Sequence, residues 1–327
     1  MDDSHLYTIG WIAPMPLEHT AAMAAMDEIY TNMSDNDGFV YSRGRIGSHY
    51  IVVAVQAKIG TNSAADLARR ISQTFRNVDR LLVVGIAGGV PSYGPAGNVR
   101  QIVLGDVVVS SPWGNHGGTV KILAGRLMQE DFNPSQSVLQ IISHTNAAPD
   151  DMLTAVNTLR SAHARTPGTQ IPLILGEIRS TIKEEQHTYE DPGADMDWLF
   201  NADYVHSSQN SKEDCRAVCE RSRAIKRIIR GQHALRNKDT PEIHYGNIGS
   251  SNALQMNARE RDRLRDEHGI LAYEMEGVGV SEAHHCLVIR GICDYSDSHK
   301  NKVGNRRLLH FVFFVHHGML CHLRQIC

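Results

Sequence analysis

The chain has 327 residues, of which 42% are hydrophobic and 21% charged, with a formal net charge of −3. This is room for one large α/β domain or two small ones, and the near-neutral charge argues against a nucleic-acid binder that works through an overall basic surface. No early segment pairs a basic stretch with an apolar one and no apolar run approaches spanning length, so no leader and no membrane span are expected. The six cysteines, Cys215, Cys219, Cys286, Cys293, Cys321 and Cys327, are irregularly spaced and are expected as reduced thiols in a cytoplasmic protein.

Residues 6–13 (LYTIGWIA) read as a buried first strand stopped by Pro14 and Pro16, and 17–29 then have helical spacing. Residues 39–57 predict a hairpin turning at Gly44 to Ser48, followed by a helix after KIGTNSAAD with Asn62 or Ser63 as N-cap. Leu81 to Val84 form an apolar strand running into the glycine turn GIAGG, and Val107 to Val109 form another. Residues 112–146 carry little signal, 148–161 look helical, and the polar stretch 180–240 reads as an insertion. A strand at 243–248, a helix near 257–267 and two strands ending in acids, at Glu274-Met275-Glu276 and at Asp294, complete the pattern. Strands alternating with helices predict a three-layer α/β/α sandwich around a central mixed sheet, in one domain.

Ligands of open α/β sheets collect at the carboxyl ends of the strands, where loops and helix N-termini converge. Glu18, the glycines 85–89, residues 250–255, Glu276 and Asp294 all fall at such ends. A carboxylate there can meet a polar ligand without being buried unpaired. Glu274 is expected to face the other side of the sheet as a structural hydrogen-bonder, and Asp106 likewise to be structural. The start of KIGTNSAA serves equally well as a capped helix start or as an anion site.

The segments IGWIAPMPLE, VVGIAGGV, LGDVVVS, GNIGSSNALQ, YEMEGVGV and VIRGICDYSD together resemble the purine and uridine nucleoside phosphorylase superfamily. The nearest pattern is the nucleosidase branch typified by methylthioadenosine/S-adenosylhomocysteine nucleosidases. CDYSDSHKNK is similar to fungal proteins in which such a domain stands alone or precedes an immune-receptor-like nucleotide-binding module. The resemblance covers about residues 6–110 and 241–301.

It implies that Glu276 accepts hydrogen bonds from two ribose hydroxyls, that Met275 packs under the sugar, and that Asp294 protonates or hydrogen-bonds purine N7. Leu254 takes the place of an aromatic that stacks on the base, the Gln255 backbone meets the base edge, and Gly88 belongs to the binding set. Cys293 stands where relatives often carry Ser. Glu18, at the start of the first helix, matches the residue that activates water in nucleosidases. The phosphate-binding Arg and hydroxyl of phosphorylases are replaced by Val83 and Ile86, at a loss of about 1.5–3 kcal/mol per charge-assisted hydrogen bond to a phosphate.

Hydrolysis of a purine nucleoside or nucleotide, most simply an adenine one, is therefore expected, with no cofactor and with the homo-oligomeric assembly of the family. The rivals are a phosphorylase and a purine sensor that binds without turnover. Cys215 and Cys219 with His206 or His233 have spacing open to zinc, but a second pair of ligands is missing, so no metal is expected. The basic run RSRAIKRIIRGQHALRNK reads as a solvated helix face, with an approach to substrate phosphates as the alternative. The tail VGNRRLLHFVFFVHHGMLCHLRQIC departs from the family's Ala-rich last helix, as a misread intron or frame change would cause.

Overall fold

The computed structural model describes residues 4–34, 38–124, 139–165, 197–206, 213, 215–226 and 241–299. Strand β1 (Ile9–Ala13) leads into helix α1 (Pro16–Ala24), followed by β2 (Glu28–Ser34), β3 (Val40–Ile46), β4 (His49–Val55) and helix α2 (Thr61–Thr74). Next come β5 (Arg80–Gly89), a small ribbon of β6 (Ser92–Tyr93) and β7 (Arg100–Gln101), β8 (Val107–Ser110), β9 (Thr119–Ala124), β10 (Leu139–His144) and helix α3 (Asp150–Arg165). A short helix α4 (Cys215–Val218) precedes β11 (Ile243–Ser250), helix α5 (Ala258–His268), β12 (Ile270–Glu274), helix α6 (Gly277–Ser281) and β13 (Cys286–Asp294).

The main sheet has the order β10-β9-β11-β8-β13-β5-β1-β4-β3-β2, with β12 pairing to both β11 and β5. It is mixed: β1 lies parallel to β4 and β5, and β13 parallel to β5 but antiparallel to β8. The central strands are apolar at nearly every position, and the pleat sorts their side chains to two faces. Leu82, Val84, Val107, Val109, Leu287 and Ile289 meet α1 and α3 on one face. Val83, Val108 and Val288 meet α2 on the other, with Leu264 of α5 and Val280 of α6 in the same cluster. The three-layer mixed architecture expected from the sequence is the one observed.

Several boundaries differ. The first helix ends at Ala24 and the chain turns into β2, a half-polar outer strand that helical spacing had absorbed up to residue 29. The glycine run is no turn, because β5 continues to Gly89. Strands β9 and β10 occupy the stretch that carried little signal. Helix α2 starts at Thr61, with Gly60 rather than Asn62 or Ser63 at its N-cap. Helix α5 is capped as its sequence suggests: Asn257 accepts from the Arg259 and Glu260 amides, and Gly269 ends it in a left-handed conformation.

Of the polar insertion, 197–206 and 215–226 are described; there Phe200, Cys215 and Cys219 form a small third cluster. The rest of it, the basic run beyond Lys226 and the tail 302–327 lie outside the described residues. Among the described residues no helix is long and apolar enough to cross a membrane. Cys215, Cys219, Cys286 and Cys293 are buried and form no disulfide.

Helix α6 packs so closely on α2 that a Cβ at Gly279 would collide with the Thr61 carbonyl oxygen and lie 2.8 Å from its Cα. Backbone cannot swing aside as a side chain can. Gly279→Ala should therefore cost about 1–3 kcal/mol or more, read as a shifted denaturant midpoint with an unchanged slope.

Candidate active site

Because β1, β5 and β13 are adjacent and parallel, their carboxyl ends open on the same edge of the sheet. Glu18 follows β1 as the third residue of α1, and β5 brings up Gly85 to Gly89. Asp294 closes β13, in register with Gly88. Strand β12 pairs Tyr273 with Gly88 and Ala272 with Gly89, delivering Glu274 and Glu276 to the same place. Glu18, Glu276 and Asp294 are 1%, 3% and 5% exposed, so each must be held by polar partners.

Those partners centre on Arg290, a cation in the middle of the apolar strand CLVIRGICD. Its Nη2 donates to Glu274 Oε2 and, at 3.1 Å, to Glu276 Oε2, while Nη1 reaches the Ile86 carbonyl at 3.3 Å. Burial works against the charge, but Glu274, Glu276 and Glu18 more than offset it and hold the guanidinium above its ordinary pKa. Glu274 is structural as expected, accepting from the Glu276 and Gly277 amides. It does not face the far side of the sheet, however. Strand β12 ends at Glu274 and Glu276 becomes the N-cap of α6, so both carboxylates turn to one arginine.

Glu276 Oε1 also receives the Gly60 amide at the start of α2, over a long 3.3 Å. The adjacent Thr61 amide donates to the Asn252 side chain at 2.9 Å. The helix start in KIGTNSAA is thus occupied by side chains of the protein itself. Burial raises the pKa of Glu276, against the pull of Arg290.

Glu18 Oε2 accepts from the Met15 amide at 2.7 Å and Oε1 from the Ile86 amide at 2.9 Å. Burial nonetheless pushes its pKa up to about 8, with Arg290 and the two amides opposing the rise. Gly85 makes this arrangement possible, since a Cβ there would collide with Glu18 Oε1 and sit 2.5 Å from Arg290 Nη1. A glycine in mid-strand marks such a close approach.

Asp294 Oδ1 accepts from the Ser296 amide at 2.8 Å, and Cys293 Sγ lies 3.3 Å from Oδ2 and 3.4 Å from the Ala87 carbonyl. One thiol proton serves only one of these acceptors at a time, so the Ser296 amide is the stronger orienting contact. Asp106 is structural: its carboxylate accepts from the Val103 and Glu242 amides and lies 3.2 Å from His244 Nε2.

Beside the carboxylates is a cleft of about 370 Å³ lined by Gly88, Leu254, Gln255, Tyr273, Met275 and Ser296, among others. Gly88, Leu254, Gln255 and Met275 therefore come together there; Leu254 is 51% exposed on the rim. Glu18, Glu276 and Asp294 stand behind this lining rather than in it. A wider cleft of about 1150 Å³, lined by Pro91, Phe200, Tyr204 and Arg261 among others, contains none of the predicted residues. The smaller one is the candidate site, because of the two it adjoins the carboxylate cluster, with Glu274 in its lining. Sequence reasoning missed Arg290 as the organiser, although a lone cation inside an apolar strand is a visible signal. Asn252 fell within the strand-end residues 250–255 without a role of its own, and Ser296 lay in a quoted motif without being singled out.

No protein-family model matches the chain. It is 35% identical over 303 residues to a nucleotide-binding leucine-rich repeat (NLR)-like protein of Hyaloscypha variabilis, an alignment covering 90% of this chain and 27% of that protein. The chain thus spans about a quarter of that relative's length. Among solved structures it is similar to futalosine hydrolase of Helicobacter pylori, with TM-score 0.54, 14% identity and coverage of 98% and 99% of the two chains. It is similar also to the 5′-methylthioadenosine/S-adenosylhomocysteine nucleosidase of Neisseria meningitidis in complex with methylthio-immucillin-A, with TM-score 0.53, 15% identity and coverage of 98% and 100%. A mutant of the H. pylori nucleosidase holding 5′-methylthioadenosine in its active site gives TM-score 0.54 at 14% identity, with coverage of 98% and 99%. The chain shares the fold of these solved hydrolases and nucleosidases.

Proposed function

We propose that a chain with this fold and this carboxylate cluster is an N-glycosyl hydrolase of purine nucleosides or nucleotides, releasing free base and the ribosyl product. The observation that carries the reading is the charge of the site. Glu274 and Glu276 bond one buried cation, Arg290, Glu18 lies in its field, and Asp294 ends the same strand four residues on. Such a site is poorly suited to hold a phosphate anion and well suited to a sugar gaining positive charge as its base departs.

In the proposed mechanism Glu276 fixes the ribose, since the long bond from Gly60 leaves Oε1 able to accept a hydrogen bond from a hydroxyl. Asp294 gives a proton or a hydrogen bond to N7, making the base a better leaving group. Glu18, as carboxylate, takes a proton from the attacking water, while the Ile86 and Met15 amides and Arg290 fix its orientation. Met275 and the rim residue Leu254 flank the sugar and base, and no cofactor takes part. An adenine base is the simplest fit to the ligands held by the similar solved structures.

Phosphorolysis would need an anion site where Val83 is wholly buried in the core and Ile86 offers its amide to Glu18. Adding phosphate should therefore leave the rate of base release unchanged, with free ribose or its 5′-derivative as product. Chromatography of a nucleoside and nucleotide panel, with and without phosphate, checks this. A ribose-1-phosphate product would overturn hydrolysis in favour of phosphorolysis. Tight purine binding with no base released from any substrate would make the chain a sensor, a role compatible with its NLR-like relative.

A further inference from the structure

Cys215 and Cys219 are 6% and 8% exposed, and their spacing of four residues lets two thiols of one helical turn face the same point. The ligand atoms of His206, Cys215 and Cys219 lie within 4.8 Å of one another. The ligand missing from the sequence reading is supplied by the fold, while His233 lies outside the described residues. His299, five residues beyond Asp294 and 8% exposed, places Nδ1 3.5 Å from Cys219 Sγ and 3.7 Å from Cys215 Sγ. We propose that His206, Cys215, Cys219 and His299 form a structural zinc site that ties the inserted segment to the loop following Asp294.

The separations carry the assignment. Tetrahedral zinc with Zn–S of about 2.3 Å and Zn–N of about 2.0–2.1 Å holds sulfur and nitrogen ligands roughly 3.5 Å apart. Both His299–cysteine distances fall near that value. The half-buried His206 keeps a ligand atom within 4.8 Å of both thiols, with its ring centroid 5.8 Å from that of His299. The other nitrogen of His299, Nε2, is 2.8 Å from the Tyr204 carbonyl, and a proton there leaves Nδ1 as the free lone pair. A metal-binding histidine is commonly held by such a backbone partner.

Further contacts preform the site. The His206 amide donates to Ser298 Oγ at 3.1 Å and the His299 amide to Asp297 Oδ1 at 2.9 Å. The Phe200 ring packs on His299 with centroids 4.2 Å apart. Four protein ligands leave no open coordination position, so the ion is structural and does not activate water. Binding releases the two thiol protons and leaves two thiolates on the metal.

The test uses the full chain made without a polyhistidine tag. Mass spectrometry of metals should find about one zinc per chain surviving dialysis. Replacing zinc by cobalt(II) should give the intense visible bands of a tetrahedral thiolate–imidazole site. Cys219→Ser and His299→Ala should each fall to under roughly a tenth of a zinc per chain, whereas Cys286→Ser, a buried cysteine outside the cluster, keeps it. Where a variant fails to fold, the cobalt spectrum and a thiol count on the unmodified chain decide. No metal taken up on exposure to zinc, cobalt bands without thiolate character, or a Cys215–Cys219 disulfide in freshly isolated protein would each overturn the assignment.

Discussion

Asp294→Asn should lower turnover by about 10²–10⁴-fold, the range general acid catalysis contributes, with little change in affinity for the ligand. The local geometry dictates how the new side chain sits. The Ser296 amide needs an acceptor 2.8 Å away, so the asparagine oxygen must occupy the Oδ1 position. The NH₂ group then stands where Oδ2 was, beside the Cys293 thiol. It can still offer a hydrogen bond to purine N7, which preserves binding, but it has no proton to surrender as the bond to the sugar breaks. Single-turnover rates of base release and calorimetric affinities separate the two effects. A loss below roughly tenfold in turnover would mean that another group activates the departing base.

The second large effect belongs to Glu18 and shows itself in pH. Only the carboxylate form can accept a proton from water, and burial pushes the pKa of this group up to about 8. Base release should therefore rise with pH through about 8 before levelling, with roughly a tenth of the ligand-free molecules in the active form at pH 7. Glu18→Gln should remove this limb together with about 10²–10⁴-fold of the rate. Stability carries the opposite sign. The folded carboxyl binds its proton more tightly than the ordinary group at 4.5, so stability from this group falls as pH rises from 4.5 to about 8 and is level beyond. Glutamine abolishes that slope. It also sets an NH₂ against one of the two amide donors from Met15 and Ile86, at a cost of about 1–3 kcal/mol. Denaturant titrations across this pH range report the slope independently of chemistry. A pH–rate profile that is flat between about 7 and 9 would remove Glu18 from the role of base.

Much of this molecule was legible in the amino-acid sequence because its signals are local. The apolar runs of β1, β5, β8, β12 and β13 announce buried strands, and Glu18, Glu276 and Asp294 stand at or beyond the carboxyl ends of β1, β12 and β13. Asn257 and Gly269 mark the ends of α5. What failed was local reading of residues whose reason is elsewhere. The glycines of GIAGG suggest a turn, yet β5 runs straight through them. Gly85 is small because Glu18 and Arg290 press on it, and Gly88 because Asp294 and Ser296 do. Outer strand β2 has too little alternation to separate it from the preceding helix. Glu274 and Glu276 share Arg290 only because the chain leaves its strand between them. His299 joins two cysteines some 80 positions earlier in the chain only through the packing of the insertion against the end of β13. Periodicity and capping act over a few neighbouring residues and can be read along a chain. The charge balance of a buried cluster and the closing of a metal site depend on which distant segments the sheet order brings together, and tertiary structure alone decides that.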